Sequence, residues 1–535
     1  MKQITVILFL ILSPGLLFSQ ADYPDLKDIS KRLKALDKNS NVSLSTLTKT
    51  KGGNDIHVLK IGKGDLDNKP AVAVLGGVEG YHVVGVELAL QFAERLTSQH
   101  SDALDQTTFY VFPNMSPEAY AQYHAKLKYE RRGNASSQDH DRDGRLSEDP
   151  YEDLNKDGMI TQMRVESPLG KYTTHPEDAR AMIKVDTSSA TTQRFLLFSE
   201  GIDNDKDGQF NEDPEEGIAF NKSFTYKFPA FEPFAGDYAV SQNESRALVD
   251  YLFEQWNIYA FISFSPANNL SSPLEYKASE AKKRIVASPL EHDVAINKMV
   301  SDLYNKTISQ KPYMQDNKGT DGDFFQWAYF HFGRLSFSTP GWWVPEAEKD
   351  TTSTSKIKDT KESNFLKWAA QENLNDVFVN WEKIDHPDFK NQTVEVGGVK
   401  PFVMDNPPFS KVDSIAIEHT NFILELTKHQ PKLEFHNLKV ENLSGGLKRI
   451  SVDVLNNANL PTHSELGQRS RWLRKIRIDL SASKENILAG NKIELISKMD
   501  ARETKSLSWI VKGNGKLTLK AGAPHAGFAE ININL

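Results

Sequence analysis

A chain of 535 residues, 39% hydrophobic and 25% charged, has enough apolar material for several domain-sized cores and the balance of a globular protein. Its formal net charge of -8, with no cluster of Lys and Arg, excludes nucleic acid as a partner, because phosphates need a basic face. It contains no cysteine, which excludes disulfides, thiolate metal sites and cysteine nucleophiles.

The chain opens with "MKQITVILFLILSPGLLFSQA": a lysine, an apolar run and then Ser19-Gln20-Ala21 in small-x-small cleavage spacing. The pattern predicts a secretory signal peptide over 1–21 and a protein exported to the periplasm or beyond the cell. The apolar run is short for a membrane span, and no later stretch is long and apolar enough to cross a bilayer. From Ala71, "AVAVLGG" reads as a strand buried on both faces, and Val84, Leu88, Phe92 and Leu96 then repeat at helical spacing. The turn between them holds Glu79 and His82, two metal-ligand residue types three positions apart. They are open to two readings, a metal-binding pair or a hydrogen-bonded pair at a helix start. "TFYVFP", "NIYAFISFS" and "GRLSFSTPGWW" supply further strands, and "SQNESRALVDYLFEQW" a helix with Ser241 and Glu244 in capping-box spacing. Strands and helices in alternation predict an α/β fold with a mainly parallel mixed sheet flanked by helices, with sites at the strand C-terminal ends.

Between about 134 and 217 that alternation gives way to an Asp-rich insertion. "DHDRDGRLSEDP" at 139–150 and "DNDKDGQFNEDP" at 203–214 share one pattern, and "DLNKDGMIT" opens in the same way. Carboxylates at positions 1, 3 and 5 before a glycine suit calcium, which takes several hard oxygen ligands. The candidates are Asp139, Asp141 and Asp143, then Asp153, Asn155 and Asp157, then Asp203, Asp205 and Asp207. Position 12 holds Pro150, Arg164 and Pro214 rather than a bidentate Glu, so these are not helix-loop-helix sites. Glu148/Asp149 and Glu212/Asp213 are the candidate closing ligands, and the calcium would be structural. After "NFILELTKH" come short alternating runs from "LEFHNLKVENL" to "FAEININL", which predict a β-sandwich domain over 431–535.

Taken in order, "GGVEGYHVVGVELAL", "YERRGNA", the acidic loops, "GIAFNKSF", "SRALVDYLFEQWNIYAFISF" and "GTDGDFFQWAYFHFGRLSFST" resemble the zinc metallocarboxypeptidases of carboxypeptidase A type. The resemblance is closest to bacterial members with acidic insertions, and it runs from about Asp22 to Pro431. It implies a carboxypeptidase-like domain over 22–430, a zinc cofactor and a peptide substrate. The family carries H-x-x-E at the strand-turn; here the order is reversed, Glu79 before His82. Ser265 stands where the resemblance places the third ligand, a histidine, and Pro340 where it places the general base, a glutamate. Zinc normally takes three protein ligands and an open position, serine is a poor ligand, and proline cannot take a proton. Losing the base alone removes roughly 10²- to 10⁴-fold in rate, and losing the metal removes the Lewis acid too.

The substrate-holding positions depart less. The resemblance places Arg131, or its neighbour Arg132, at the oxyanion and Asn221-Lys222 at the terminal carboxylate, with Lys for Arg; it makes Tyr313 the closing tyrosine. Lysine keeps the charge but not the bidentate fork. His57, His124, His175 and His331 are the histidines from which a relocated ligand would come. Three functions stay open: a degenerate carboxypeptidase-like protein binding peptides or other carboxylate-bearing ligands, an active metallopeptidase or amidase with a rearranged site, and a non-enzymatic interaction protein.

Overall fold

The computed structural model describes residues 22–140, 142, 144–185, 193–314, 318–348, 358–470 and 472–535. The expected signal peptide and two of the proposed calcium ligands, Asp141 and Asp143, lie outside the described residues. The first part of the chain contributes twelve described strands: β1 (Val42–Lys49), β2 (Asp55–Ile61), β3 (Ala71–Leu75), β4 (Thr108–Phe112), β5 (Gln162–Glu166), β6 (Tyr172–Thr174), β7 (Met182–Lys184), β8 (Phe195–Ser199), β9 (Ile258–Phe264), β10 (Leu335–Thr339), β11 (Phe378–Ile384) and β12 (Val394–Val399).

The main sheet has the order β1-β2-β4-β3-β9-β10. β4, β3, β9 and β10 are mutually parallel, while β1 and β2 add an antiparallel edge. Every residue of β3, β4, β9 and β10 is buried, as expected of strands covered on both faces. Alternation divides their side chains between two cores. Val72, Val74, Phe109, Val111 and Ile262 pack under the helices Leu26–Leu36, Val83–Gln99, Glu291–Thr307 and Phe409–Thr427. Ala71, Ala73, Tyr110, Phe112 and Phe261 face the helices Asn243–Glu254 and Phe324–Phe330. The predicted capping box does not form. The helix begins at Asn243 without a side-chain cap, because Glu244 is buried and accepts instead from Asn134 Nδ2 at 2.6 Å.

The acidic insertion is more than loops. β5 to β8 join β11 and β12 in a second, antiparallel sheet of order β11-β12-β5-β8-β6-β7, around Met163, Val165, Val394 and Val396. Arg164 closes it, paired with Glu395 at 2.8 Å and lying 4.2 Å from the Trp381 ring centroid. The C-terminal strands are β13 (Leu433–Asn442), β14 (Leu447–Asn456), β15 (Ile476–Leu480), β16 (Ile487–Ala489), β17 (Ile493–Ile496), β18 (Thr504–Lys512), β19 (Lys516–Ala523) and β20 (Gly527–Asn534). They form antiparallel sheets β13-β14-β18-β16 and β17-β15-β19-β20 around Ile450, Val452, Ile478, Trp509 and Leu519, a β-sandwich.

Candidate functional site

The cleft lies where the parallel strands end. After β3 the chain turns at Gly76 and Gly77 into the helix Val83–Gln99. Gly77 has φ 63°, and a Cβ on Gly76 would stand 2.4 Å from the Gly85 carbonyl oxygen, so the tight turn needs both glycines. Glu79 and His82 sit in this turn. Their side chains do not bond each other; the link is main-chain, His82 N–H to the Glu79 carbonyl at 3.2 Å.

The Glu79 carboxylate accepts from Asn221 Nδ2 at 2.8 Å, and Asn221 Oδ1 in turn accepts from Phe324 N–H at 3.0 Å. Burial raises the Glu79 carboxyl, while Asn221, Arg132 and Lys222 pull it back down. His82 is 1% exposed and neither ring nitrogen completes a hydrogen bond. The carbonyls of Phe264 and Pro340 are near enough to raise its pKa, but burial dominates and lowers it to about 4, leaving the ring neutral at pH 7. Ser265 is turned into the sheet, its Oγ 2.9 Å from Ser338 Oγ and accepting from Ala267 N–H at 3.3 Å.

Of the two adjacent arginines, Arg131 is occupied locally, donating to the carbonyls of Gly133 at 2.9 Å and Asn134 at 2.7 Å. Arg132 is the one near Glu79: its guanidinium lies 5.8 Å from the Tyr81 ring centroid and acts electrostatically on Glu79, Glu130 and Asp405. Lys222 also acts electrostatically on Glu79, donates to the Pro233 carbonyl at 3.2 Å and lies 3.7 Å from Glu232. Tyr313 lines a cavity of about 230 Å³ together with Tyr81, His82, Pro340, Trp342 and Asp405. His57, His124, His175 and His331 do not line it; they bond Thr46, the Pro24 carbonyl, Glu177 N–H and Thr225 respectively.

Three acids of this region were not singled out from the sequence. Glu130 and Asp405 are carboxyls raised by burial, and Asp323 is pushed up to about 7 by burial, with Glu79 adding to the rise. Asp323 caps the helix Phe324–Phe330, accepting from Gln326 N–H at 2.7 Å. Its signal was available: an Asp followed three residues later by Gln is a helix-start pattern. Glu130, two residues before Arg132, carried no comparable pattern, and Asp405 is brought to Arg132 only by folding.

The three acidic loops share one wiring plan. Asp139, Asp153 and Asp203 each accept from the N–H of the glycine at position 6, at 3.0, 2.8 and 3.0 Å. Residues at position 4, Arg142, Lys156 and Lys206, all have positive φ. A buried carboxylate from outside each loop then accepts from positions 2 and 9. Asp213 takes His140 and Ser147 N–H at 2.8 and 2.6 Å, and Asp149 takes Asn204 and Asn211 N–H at 3.0 and 2.7 Å. Glu200 does the same for Leu154 and Thr161, at 2.7 and 2.9 Å. Asp149 and Asp213 therefore tie the first and third loops to each other through their backbones. Asp203, Asp205 and Asp207 bring one carboxylate oxygen each within 4.8 Å of the others, a set that could hold a metal ion. Asn155 and Asp157 are joined to each other in the second loop, Asn155 Nδ2 donating to Asp157 at 3.2 Å. The insertion also reaches the cleft, because Glu216 accepts from both Arg132 and Gly133 N–H at 2.6 Å.

Residues 29–366 match the family model described as zinc carboxypeptidase, which is more than half of the chain. The chain belongs to the zinc carboxypeptidase family. A second model, a domain of unknown function, matches residues 432–534 of this carboxypeptidase-family chain. No curated protein matches it. Among solved structures, bovine thrombin-activatable fibrinolysis inhibitor in complex with tick carboxypeptidase inhibitor is 12% identical, covering 76% of this chain and 97% of its own, with a TM-score of 0.40. Carboxypeptidase A from Helicoverpa armigera is 14% identical over 66% of this chain and 72% of its own, TM-score 0.36. A metallo-carboxypeptidase from Pseudomonas aeruginosa is 9% identical over 58% of each chain, TM-score 0.28.

The residues at this carboxypeptidase-family cleft do not fit a catalytic zinc. Such an ion takes three protein ligands and keeps a fourth position open. At the positions the resemblance gives to the ligands stand a glutamate bonded to Asn221, a histidine against main-chain carbonyls and a serine bonded to another serine. Among the described residues, neither Glu79 nor His82 belongs to a converging set of three His, Asp or Glu ligands.

Proposed function

We propose that this member of the zinc carboxypeptidase family is an exported, catalytically degenerate protein whose cleft binds peptides or other carboxylate-bearing ligands. The observation that carries this reading is the Glu79–Asn221 bond, which commits to a protein partner the carboxylate that would otherwise face a metal. The displaced chemistry at Ser265 and Pro340 supports it: one group is turned into the sheet and the other has nothing to titrate. Without the metal, no residue at those positions activates water. What the cleft keeps is positive charge at its mouth, Arg132 and Lys222, beside an aromatic-lined cavity with Tyr313. A guanidinium and an ammonium there attract a carboxylate, with Lys222 acting as a point charge rather than a fork.

In this reading the acidic loops bind calcium as a structural ion. The support is the Asp203, Asp205 and Asp207 set and the repeated backbone plan around it. Through Glu216 the insertion holds the turn that presents Arg132, so the ion would serve the cleft indirectly. The amino-terminal pattern supports export.

The test is a binding screen of peptides with free and amidated C-termini. The expected result is a preference for the free carboxylate that falls about tenfold or more in Arg132→Ala and Lys222→Ala. Equal binding of both peptide forms would exclude a retained carboxylate grip.

A further inference from the structure

Just before β10, Arg334 is fully buried at the junction between the first part of the chain and the sandwich. One of its terminal nitrogens donates to the Trp256 carbonyl at 3.2 Å; Nε and Nη1 have no hydrogen-bond partner. Its guanidinium lies 5.5 Å from the Trp472 ring centroid, and among the described residues no carboxylate pairs with it. Two sandwich histidines stand close by. His463 and His525 are 3% and 0% exposed, with ring centroids 5.8 Å apart at 82°. Thr462 Oγ1 lies 3.3 Å from His463 Nδ1, while both ring nitrogens of His525 have no partner. His525 is carried by the turn Pro524–Ala526, which packs against β9. Burial and the charge of Arg334 lower the pKa of both imidazoles, His463 to about 3. Lys498, which also acts on His463, is paired with Asp500 at 2.7 Å.

A buried guanidinium with no counter-charge is among the heaviest penalties a fold can carry, and buried polar atoms without protein partners are met by water or an ion. Guanidinium offers five donors and no acceptor, and neutral imidazole one donor. Water would satisfy these N–H groups without balancing the charge; an anion does both.

We propose that the junction binds a small inorganic anion, chloride in size, held by Arg334 Nε and Nη1 and by a ring N–H of His525, with His463 beside it. The ion would join the two parts of the chain, since Arg334 and the histidines come from opposite sides of the junction.

Crystals of the full chain grown in bromide test this directly. The expected result is an anomalous peak in contact with Arg334 and His525, absent in crystals of Arg334→Met. In solution, the Tm of the native chain should rise with the logarithm of chloride concentration when gluconate keeps ionic strength constant. That rise should vanish in Arg334→Met and shrink in His525→Phe. If Arg334→Met does not fold, the native bromide map and His525→Phe still decide. No bromide peak at the junction, or a chloride dependence unchanged by both substitutions, would overturn the proposal.

Discussion

Glu79 shows how much one side chain's partner decides. Its sequence position invites a metal, yet its carboxylate is held by Asn221, itself one of the residues expected to grip substrate. Ser265 likewise spends its hydroxyl on Ser338. These engagements could not be read from spacing, because each partner comes from a distant segment. His419 gives a cleaner residue-scale prediction. It is buried in the helix Phe409–Thr427 against Tyr304, and burial lowers it to about 4. Its folded pKa lies below the unfolded value near 6.5, so between pH 6.5 and 4 the unfolded chain binds the extra proton and stability falls as pH falls. The contribution is on the order of 3 kcal/mol by pH 4 and changes no further below it. Denaturant unfolding of His419→Gln across that range should show a pH slope shallower by up to one proton. An unchanged slope would place the titration elsewhere.

At the scale of elements, the strand–turn–helix from Ala71 to Gln99 was legible because burial on both faces and the 3.6-residue repeat are local signals. The second sheet was not. β5 pairs with β12, and the Arg164–Glu395 pair that closes it is 231 residues apart in sequence. The acidic loops were legible as a repeat, but the roles of Asp149 and Asp213 were not. Expected to close their own loops, each instead holds the backbone of the other's. Their reciprocity predicts that Asp149→Ala, which strips acceptors from Asn204 and Asn211 N–H, destabilises by about 3 kcal/mol or more. Asp149→Asn keeps one acceptor and should lose less. Thermal unfolding of both variants checks the order, and equal losses would mean the charge rather than the bonding matters.

In the proposed reading, the whole molecule combines the family fold with a centre that has lost the family's chemistry and an insertion whose acidic loops hold one another through their backbones. With no cysteine, the calcium proposed for the acidic loops would serve in place of a covalent cross-link. If calcium is bound, a chelator should lower the Tm by several degrees, and calcium should restore it better than magnesium, which demands near-ideal octahedral geometry. A Tm indifferent to chelation would contradict calcium as a structural ion. Metal analysis of the purified full chain, after dialysis against zinc at micromolar concentration, decides the catalytic question. The proposed degenerate cleft predicts well under one zinc per chain and no peptidase activity attributable to Glu79 or His82. One zinc per chain, lost together with peptidase activity in Glu79→Ala or His82→Ala, would contradict it.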